Sequence, residues 1–369
     1  MLPIVFVYSG NSLPAYAMPS LELNLEHNDV PLLLLSDSPR PLWLSREVDH
    51  IGLSDFYDDP DLSSRLKGFK YPASFRNGFW IRTIERFEIL SQWAKISKTQ
   101  EFVHSELDNL CLGLHDALSY RSRLPDFALP RESSHQAVAS LVFVGKNRKL
   151  DQVMSFFQLN SHIGNEMEML SAFLDLQNSN AVKALPTIAS LSHGSGVPWE
   201  SFPIDAFGGI FDAAAVGRWL YGPDPRNSKG RATKNMQEHP RTLGRLPNSS
   251  FELVSGQLFV EDGIGNQARL YNVHVHSKIF SRLQFLPRHN RLLNRVNSGR
   301  PSQIAGPDGG YLVSEVVRWS SYIGRIAFSP RRLARRIFWT RLSPSEGFFR
   351  KLFSRFSKPA VKSWIRINK

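Results

Sequence analysis

Hydrophobic positions along the first third of the chain change period twice, from strand to helix and back to strand. PIVFVYS (3–9) is a short β-branched and aromatic run that predicts a strand. LPAYAMPSLELNLEH (13–27) carries apolar residues at helical intervals, with Pro19 expected to delay the helix start. VPLLLLSD (30–37) is apolar without alternation, as a parallel strand covered on both faces would be. These three segments predict a βαβ unit, and Asp37 closes its second strand at the carboxyl edge, where α/β proteins bind ligands.

Residues 38–76 are rich in Pro, Asp and Ser and read as irregular with short helices. FWIRTIERFEILSQWAKI (79–96) predicts a helix on Trp80, Ile84, Phe87 and Leu90, with Arg82 and Arg86 one turn apart on another face. Further strands are expected at 101–110, running into an acidic turn, and at 137–145. A helix is expected at 166–177, and a Gly-rich turn leads into a short helix within 204–225. A hairpin is expected at 250–263, and a strand at 268–278 that ends in His, Ser and Lys. No internal repeat or low-complexity tract interrupts this pattern.

The charge of the chain is unevenly spread. Over 369 residues the net charge is +12, which taken alone suggests nucleic acid or an anionic surface as partner. Residues 279–369, however, hold 19 Lys and Arg against three acids, so the first 278 residues are mildly acidic. Basicity is therefore a C-terminal property. There, SPRRLARRIFWTRL (329–342) and SEGFFRKLFSRFSK (345–358) set large apolar side chains on one stripe and cations on the rest, the pattern of a basic amphipathic helix on an anionic membrane. No recognised nucleic-acid motif accompanies the charge, which disfavours nucleic acid as the partner. The single cysteine, Cys111, allows no intramolecular disulfide and reads as a buried thiol. The start, MLPIVFVYSG, lacks the basic and apolar regions of a signal peptide, and no apolar run is long enough to span a bilayer. The expected location is cytoplasmic, or peripheral on the cytoplasmic face of a membrane.

Two segments carry the candidate chemistry. In HSELDNL (104–110), Glu106 and Asp108 are two residues apart at a strand end, where extended backbone would aim both carboxylates at one spot. Two hard oxygen donors suit Mg2+ or Mn2+ carrying a diphosphate, although an isolated pair of this kind is also an ordinary solvated turn. In YNVHVHSK (271–278), His274 and His276 alternate with valines and so share a face, and Lys278 adds a cation beside them. A polar face on an edge strand would look the same.

Taken together, these segments resemble those of GT-A-type glycosyltransferases, the nucleotide-sugar-dependent enzymes with a single Rossmann-like domain. HSELDNL is similar to the acidic DxD motif of that fold, with Glu106 in place of the first Asp. YNVHVHSK is similar to a C-terminal metal-ligating His followed by a diphosphate-binding Lys, at a shorter spacing than in glycogenin-like enzymes. The resemblance implies an α/β fold with a mixed sheet flanked by helices over residues 1–280; the basic helical extension expected over 281–369 lies outside it and rests on the charge and apolar pattern alone. It implies Asp108 as principal metal ligand and Glu106 as a ligand or donor-binding partner. It also implies His276 as the third ligand with His274 as its alternative, and Lys278 at the β-phosphate. Arg82, Arg86 and Asp37 would bind the nucleotide-sugar donor.

Asp212, in FGGIFDAAAVG (207–217), is expected either to cap the adjoining helix or to face the acceptor as its base, and Glu166 and Glu168 are weaker candidates at another helix start. The resulting expectation is transfer of a sugar to a glycan or lipid-linked acceptor in surface polysaccharide biosynthesis, with Mn2+ or Mg2+ as cofactor. A metal-dependent nuclease or phosphohydrolase could use the same acids and histidines, and a non-enzymatic membrane scaffold could carry them structurally.

Overall fold

The structure is a computed structural model that describes residues 2–280, apart from 11, 58–61, 67, 72–74, 121–123, 178, 194–198, 222–248, 255–256, 263 and 279. The basic segment 281–369, with both amphipathic stretches, lies outside the described residues, as does the expected helix end at Gly222-Pro223. The first strands are β1 (Ile4–Tyr8), β2 (Leu32–Ser36), β3 (Val48–Gly52), β4 (Phe102–Ser105) and β5 (Asn109–Cys111). They are followed by β6 (Phe127–Ser133), β7 (Gln136–Ala137), β8 (Leu141–Val144) and β9 (Val182–Leu185). Last come β10 (Gly209–Ile210), β11 (Ser250–Val254), β12 (Gln257–Glu261), β13 (Gln267–Leu270) and β14 (Asn272–His274). The helices are α1 (Ala17–His27), α2 (Leu62–Arg65), α3 (Phe79–Ile96), α4 (Leu114–Ser119), α5 (Arg148–Asn160), α6 (Glu166–Asp175), α7 (Ile188–His193) and α8 (Ala215–Tyr221).

The fold is α/β, a large mixed sheet flanked by helices, in the order β3-β2-β1-β4-β8-β6-β7, with β9 beside β6. The βαβ unit is present: β1 runs parallel to β2, β2 to β3, and β1 to β4 on its other side. β8 is antiparallel to both β4 and β6. Every residue of β2 is buried, as its unalternated apolar run demands. Its side chains divide between two layers. Leu33 and Leu35, with Val5, face Ile84, Phe87 and Leu90 of α3 and Phe157 of α5. Leu32 and Leu34, with Ile4 and Phe6, face Ala17 and Leu21 of α1 and the ring cluster Phe143, Phe207 and Phe211.

α1 starts late in its segment, at Ala17, with Pro19 in the first turn, where no intrahelical N–H is needed. Three local expectations change. β3, β6, β9 and α5 arise where the pattern of the sequence is irregular or assigns no element. The strand expected at 137–145 is split into β7 and β8. The strand expected at 268–278 is broken at Tyr271, because the chain passes there from one sheet to another: β13 pairs with β12, whereas β14 pairs antiparallel with β5. The expected hairpin is present as β11 and β12. Among the described residues, no helix is long and apolar enough to cross a membrane.

Candidate metal and donor site

The chain leaves β1 toward β2 and β3 on one side and places β4 on the other, so the carboxyl ends of β1 and β4 border a topological switch point, where open α/β sheets bind ligands. Asp37 comes directly after β2 on this edge and is exposed. α3 runs beside it. Arg82 is exposed and donates to the carbonyl oxygen of Ser9, at the end of β1. One turn further on, Arg86 is buried and reaches both the Glu106 carboxylate and Glu166 Oε1, the latter at 2.7 Å. Two arginines that share a helix face in the sequence thus do different work: Arg82 stays at the rim, and Arg86 is built into the acidic site.

The Glu106–Asp108 turn is short because β4 ends at Ser105 and β5 starts at Asn109. It is pinned by Glu106 N–H donating to the Ser140 carbonyl at 2.9 Å and Asn109 N–H donating to the Glu106 carbonyl at 3.0 Å. β14 then brings in the histidine: His274 lies opposite Asn109 in the antiparallel register, one residue past Asp108. His274 Nε2 stands 3.2 Å from Glu106 Oε2 and 3.2 Å from Asp108 Oδ2. One donor atom from each of Glu106, Asp108 and His274 falls within 4.8 Å of the other two. Two carboxylates and one imidazole form a hard, mixed O/N donor set that fits Mn2+ or Mg2+. Burial works to raise the Glu106 carboxyl, but Arg86 and His274 together hold it well below the usual carboxylate range, so it is ionised and ready to act as a ligand.

His276, expected as the third ligand, lies beside this group and not within it. The strand ends at His274 and the chain turns: Val275 N–H donates to the Asp108 carbonyl at 2.7 Å, and His276 N–H to the His274 carbonyl at 2.9 Å. That turn ends the two-residue alternation that would place both rings on one face. The His276 ring stays 4.2 Å from the His274 ring, and burial, then the charges of His274 and Arg218, keep its pKa well below the ordinary value. Lys278 closes the turn with φ +57 and extends its Nζ to Asp108 Oδ2, passing 5.6 Å from the Tyr16 ring centre. Burial lowers its pKa to about 8, so it remains a cation at neutral pH, beside the acids.

Asp212 serves its own backbone. Its carboxylate accepts from the N–H groups of Ala214 (2.8 Å), Val216 (3.0 Å), Gly217 (2.8 Å) and His274 (3.0 Å). It is 2% exposed, with its acceptor sites occupied by four donors, which leaves no free lone pair aimed at an acceptor hydroxyl. Of the two roles expected for Asp212, its contacts are those of a cap for α8 and an anchor for β14. α8 also needs Gly217: a Cβ there would lie 1.8 Å from the His274 carbonyl oxygen, so only glycine lets the helix come this close to the histidine. Glu168 is likewise structural, closing a capping box with Asn165.

Other residues of the site give little sequence signal. Glu166 is buried against Arg86, and burial pushes its carboxyl up to about 7. Glu132, at the end of β6, forms a buried ion pair with Arg218 of α8. Burial lowers Arg218 to about 10. Neither residue belongs to a recognisable spacing, since their partners lie on distant segments. His104 is neutral, its pKa lowered to about 3 by burial and then by Arg86, and its Nδ1 lies 2.9 Å from the Val5 carbonyl oxygen. Cys111 is a buried thiol pushed up to about 12 by burial, in keeping with a structural role.

No protein-family model matches the sequence, and no curated protein sequence matches it. Among solved structures, the chain is similar to mouse xyloside xylosyltransferase 1 in its apo form, at 9% identity and a TM-score of 0.29, over 47% of this chain and 81% of that one. It is similar to the galactosyltransferase LgtC in complex with donor and acceptor sugar analogs, at 14% identity and a TM-score of 0.33, over 47% of this chain and 70% of that one. It is also similar to the glycosyltransferase GlyE of Streptococcus pneumoniae TIGR4, at 11% identity and a TM-score of 0.32, over 52% of this chain and 48% of that one. Similarity at this level leaves the functional reading to the residues of the site.

Proposed function

We propose that this chain is a metal-dependent glycosyltransferase that moves a sugar from a nucleotide-diphosphate donor to a glycan or lipid-linked acceptor in surface polysaccharide biosynthesis. The observation that carries the reading is the convergence of Glu106, Asp108 and His274, with Lys278 against Asp108, at the carboxyl edge of a mixed α/β sheet. Asp108, Glu106 and His274 would hold Mn2+ or Mg2+. A divalent cation bound there supplies Lewis-acid stabilisation of the charge on the departing nucleoside diphosphate. Lys278 places a fixed cation at the same point, where it would meet the β-phosphate and stabilise the negative charge that develops as the sugar leaves. Arg86 keeps Glu106 ionised and oriented, and Arg82 and Asp37 lie along the edge where the rest of the donor would extend. Residues 1–280 would form the catalytic part. The basic segment 281–369 would attach it to the anionic cytoplasmic face of a membrane, which would bring it to lipid-linked acceptors.

The test is a thermal-shift screen of UDP-, GDP- and CMP-sugars with and without Mn2+. The expected result is a donor-dependent rise in Tm that requires Mn2+ and disappears in Asp108→Asn. Absence of any metal-dependent donor shift, or an unchanged shift in that variant, would overturn the reading.

A further inference from the structure

The two halves of the donor set come from segments 166 residues apart, and the strands that join them, β5 and β14, are three residues each. So short a ladder defines register weakly, because few cross-strand pairs resist a slip. What backs it is a buried polar knot. Asn272 Nδ2 donates to Asn109 Oδ1 at 2.8 Å and to the Asp212 carbonyl at 3.1 Å, while Asn272 Oδ1 accepts from Asp212 N–H at 2.9 Å. Asn109 Nδ2 donates in turn to the Ser140 carbonyl at 3.1 Å and to Ser105 Oγ at 3.0 Å. The Ser140 carbonyl also accepts the Glu106 N–H, and the Asp212 carboxylate accepts the His274 N–H. Asn109, Ser140 and Asn272 are fully buried, so any slip of β14 against β5 would strand several of these groups without partners.

Each arm of the knot ends next to a metal-site residue. Asn109 is the neighbour of Asp108, Ser140 holds the Glu106 amide, and Asp212 holds the His274 amide. We propose that Asn272 is the positioning residue of the metal site: by locking Asn109 and both backbone polar groups of Asp212, it sets the distance between the Asp108 carboxylate and the His274 imidazole, and through it the affinity for a divalent cation. This rests on the reading of Glu106, Asp108 and His274 as metal ligands, and not on the identity of the donor or acceptor.

The experiment is a calorimetric titration of the full chain with Mn2+ alone, alongside metal-free Tm measurements, for wild type, Asn272→Leu, Asn272→Ser and Asn28→Leu. Asn28 is the structural control. It is a buried asparagine that bonds the Cys111 carbonyl and the Leu114 amide at the far end of β5, away from the donors. Loss of outer hydrogen-bond partners of metal ligands lowers metal affinity about 10- to 100-fold. The expected result is a Mn2+ Kd about tenfold or more higher in Asn272→Leu, a smaller rise in Asn272→Ser, whose hydroxyl can keep one bond, and a near-wild-type Kd in Asn28→Leu despite a lowered Tm. If Asn272→Leu does not fold, Asn272→Ser carries the test. Wild-type affinity in a folded Asn272 variant, or an equal loss in Asn28→Leu, overturns the positioning role and leaves the metal site standing. No Mn2+ binding by the wild-type chain overturns both.

Discussion

Asp108 and Asp212 are both buried aspartates that come after short strands, and both are tied to β14, yet they differ in what meets their carboxylates. Asp108 meets side chains: the Lys278 ammonium, the imidazole of His274 and, nearby, a second acid, Glu106. Asp212 meets four backbone N–H groups, from Ala214 just before α8, from Val216 and Gly217 in its first turn, and from His274 of β14. Backbone donors cannot move away to admit a ligand, so the Asp212 carboxylate is committed to holding structure. Side chains can exchange partners, so Asp108 is free to exchange its contact with Lys278 for a bound cation. The nature of a carboxylate's partners, more than its burial, separates a structural acid from a chemical one.

The comparison is most exposed in Asp108→Asn. Sugar-donor hydrolysis or transfer in the presence of Mn2+ should fall by about a hundredfold or more, since a transition-state charge loses its metal-anchoring group. Stability should change less than in Asp212→Ala. Retained activity in Asp108→Asn would place the chemistry elsewhere.

In Asp212→Ala the loss of stability should be the larger effect, with any loss of metal affinity following from the freed His274 amide. Leaving several buried amides without an acceptor costs about 3 kcal/mol or more, read as a lowered denaturation midpoint. An Asp212→Ala protein that keeps wild-type stability while losing activity would restore it as a chemical acid and break the contrast.

The histidines sharpen the picture at smaller scale. His274→Ala should raise the Mn2+ Kd by more than the roughly 10- to 100-fold that loss of an outer hydrogen-bond partner costs, whereas His276→Ala should change it by less than about threefold, because only the first ring is among the converging donors. Equal effects in a calorimetric titration would mean that both rings ligate.

Gly217→Ala probes the contact of α8 with His274 from the helix side, where a new Cβ meets the His274 carbonyl and forces the helix or the strand to shift. Overpacking of this kind costs about 1–3 kcal/mol. Because the clash falls on His274, metal affinity should weaken along with stability. A loss of stability at unchanged Mn2+ affinity would show that the capped region and the site are mechanically separate.

Legibility in the sequence tracks the range of the interactions involved. The βαβ start and the helix 79–96 are readable because local period and local burial agree: LLLLS (32–36) forms a strand buried along its length, and Ile84, Phe87 and Leu90 lie on the inward side of α3. β6 and β9 are not, because FALPRES contains a proline and charged residues, and VKAL is too short to show a period. The acids of the site are legible because Glu106 and Asp108 sit two apart at a strand end. The choice between His274 and His276 is not legible, because it depends on where β14 stops, and that is set by its pairing with β5 and the turn that returns to Asp108.

The sequence by itself determined the fold class, the acidic pair, the presence of imidazole and lysine near the end of the first 280 residues, and the confinement of the net positive charge to the C-terminal segment 281–369. Each of these is a property of residues close together in the chain, or of simple composition. Only the tertiary structure decided that His274 joins the two carboxylates, that Arg86 belongs to the acids while Arg82 stays at the rim, and that Asp212 caps a helix. Those outcomes turn on contacts between distant segments, such as Asn109 with Asn272, 163 residues apart, and Asp212 with His274, 62 apart. Strand register and helix approach fix such contacts, and no local pattern of side chains encodes them.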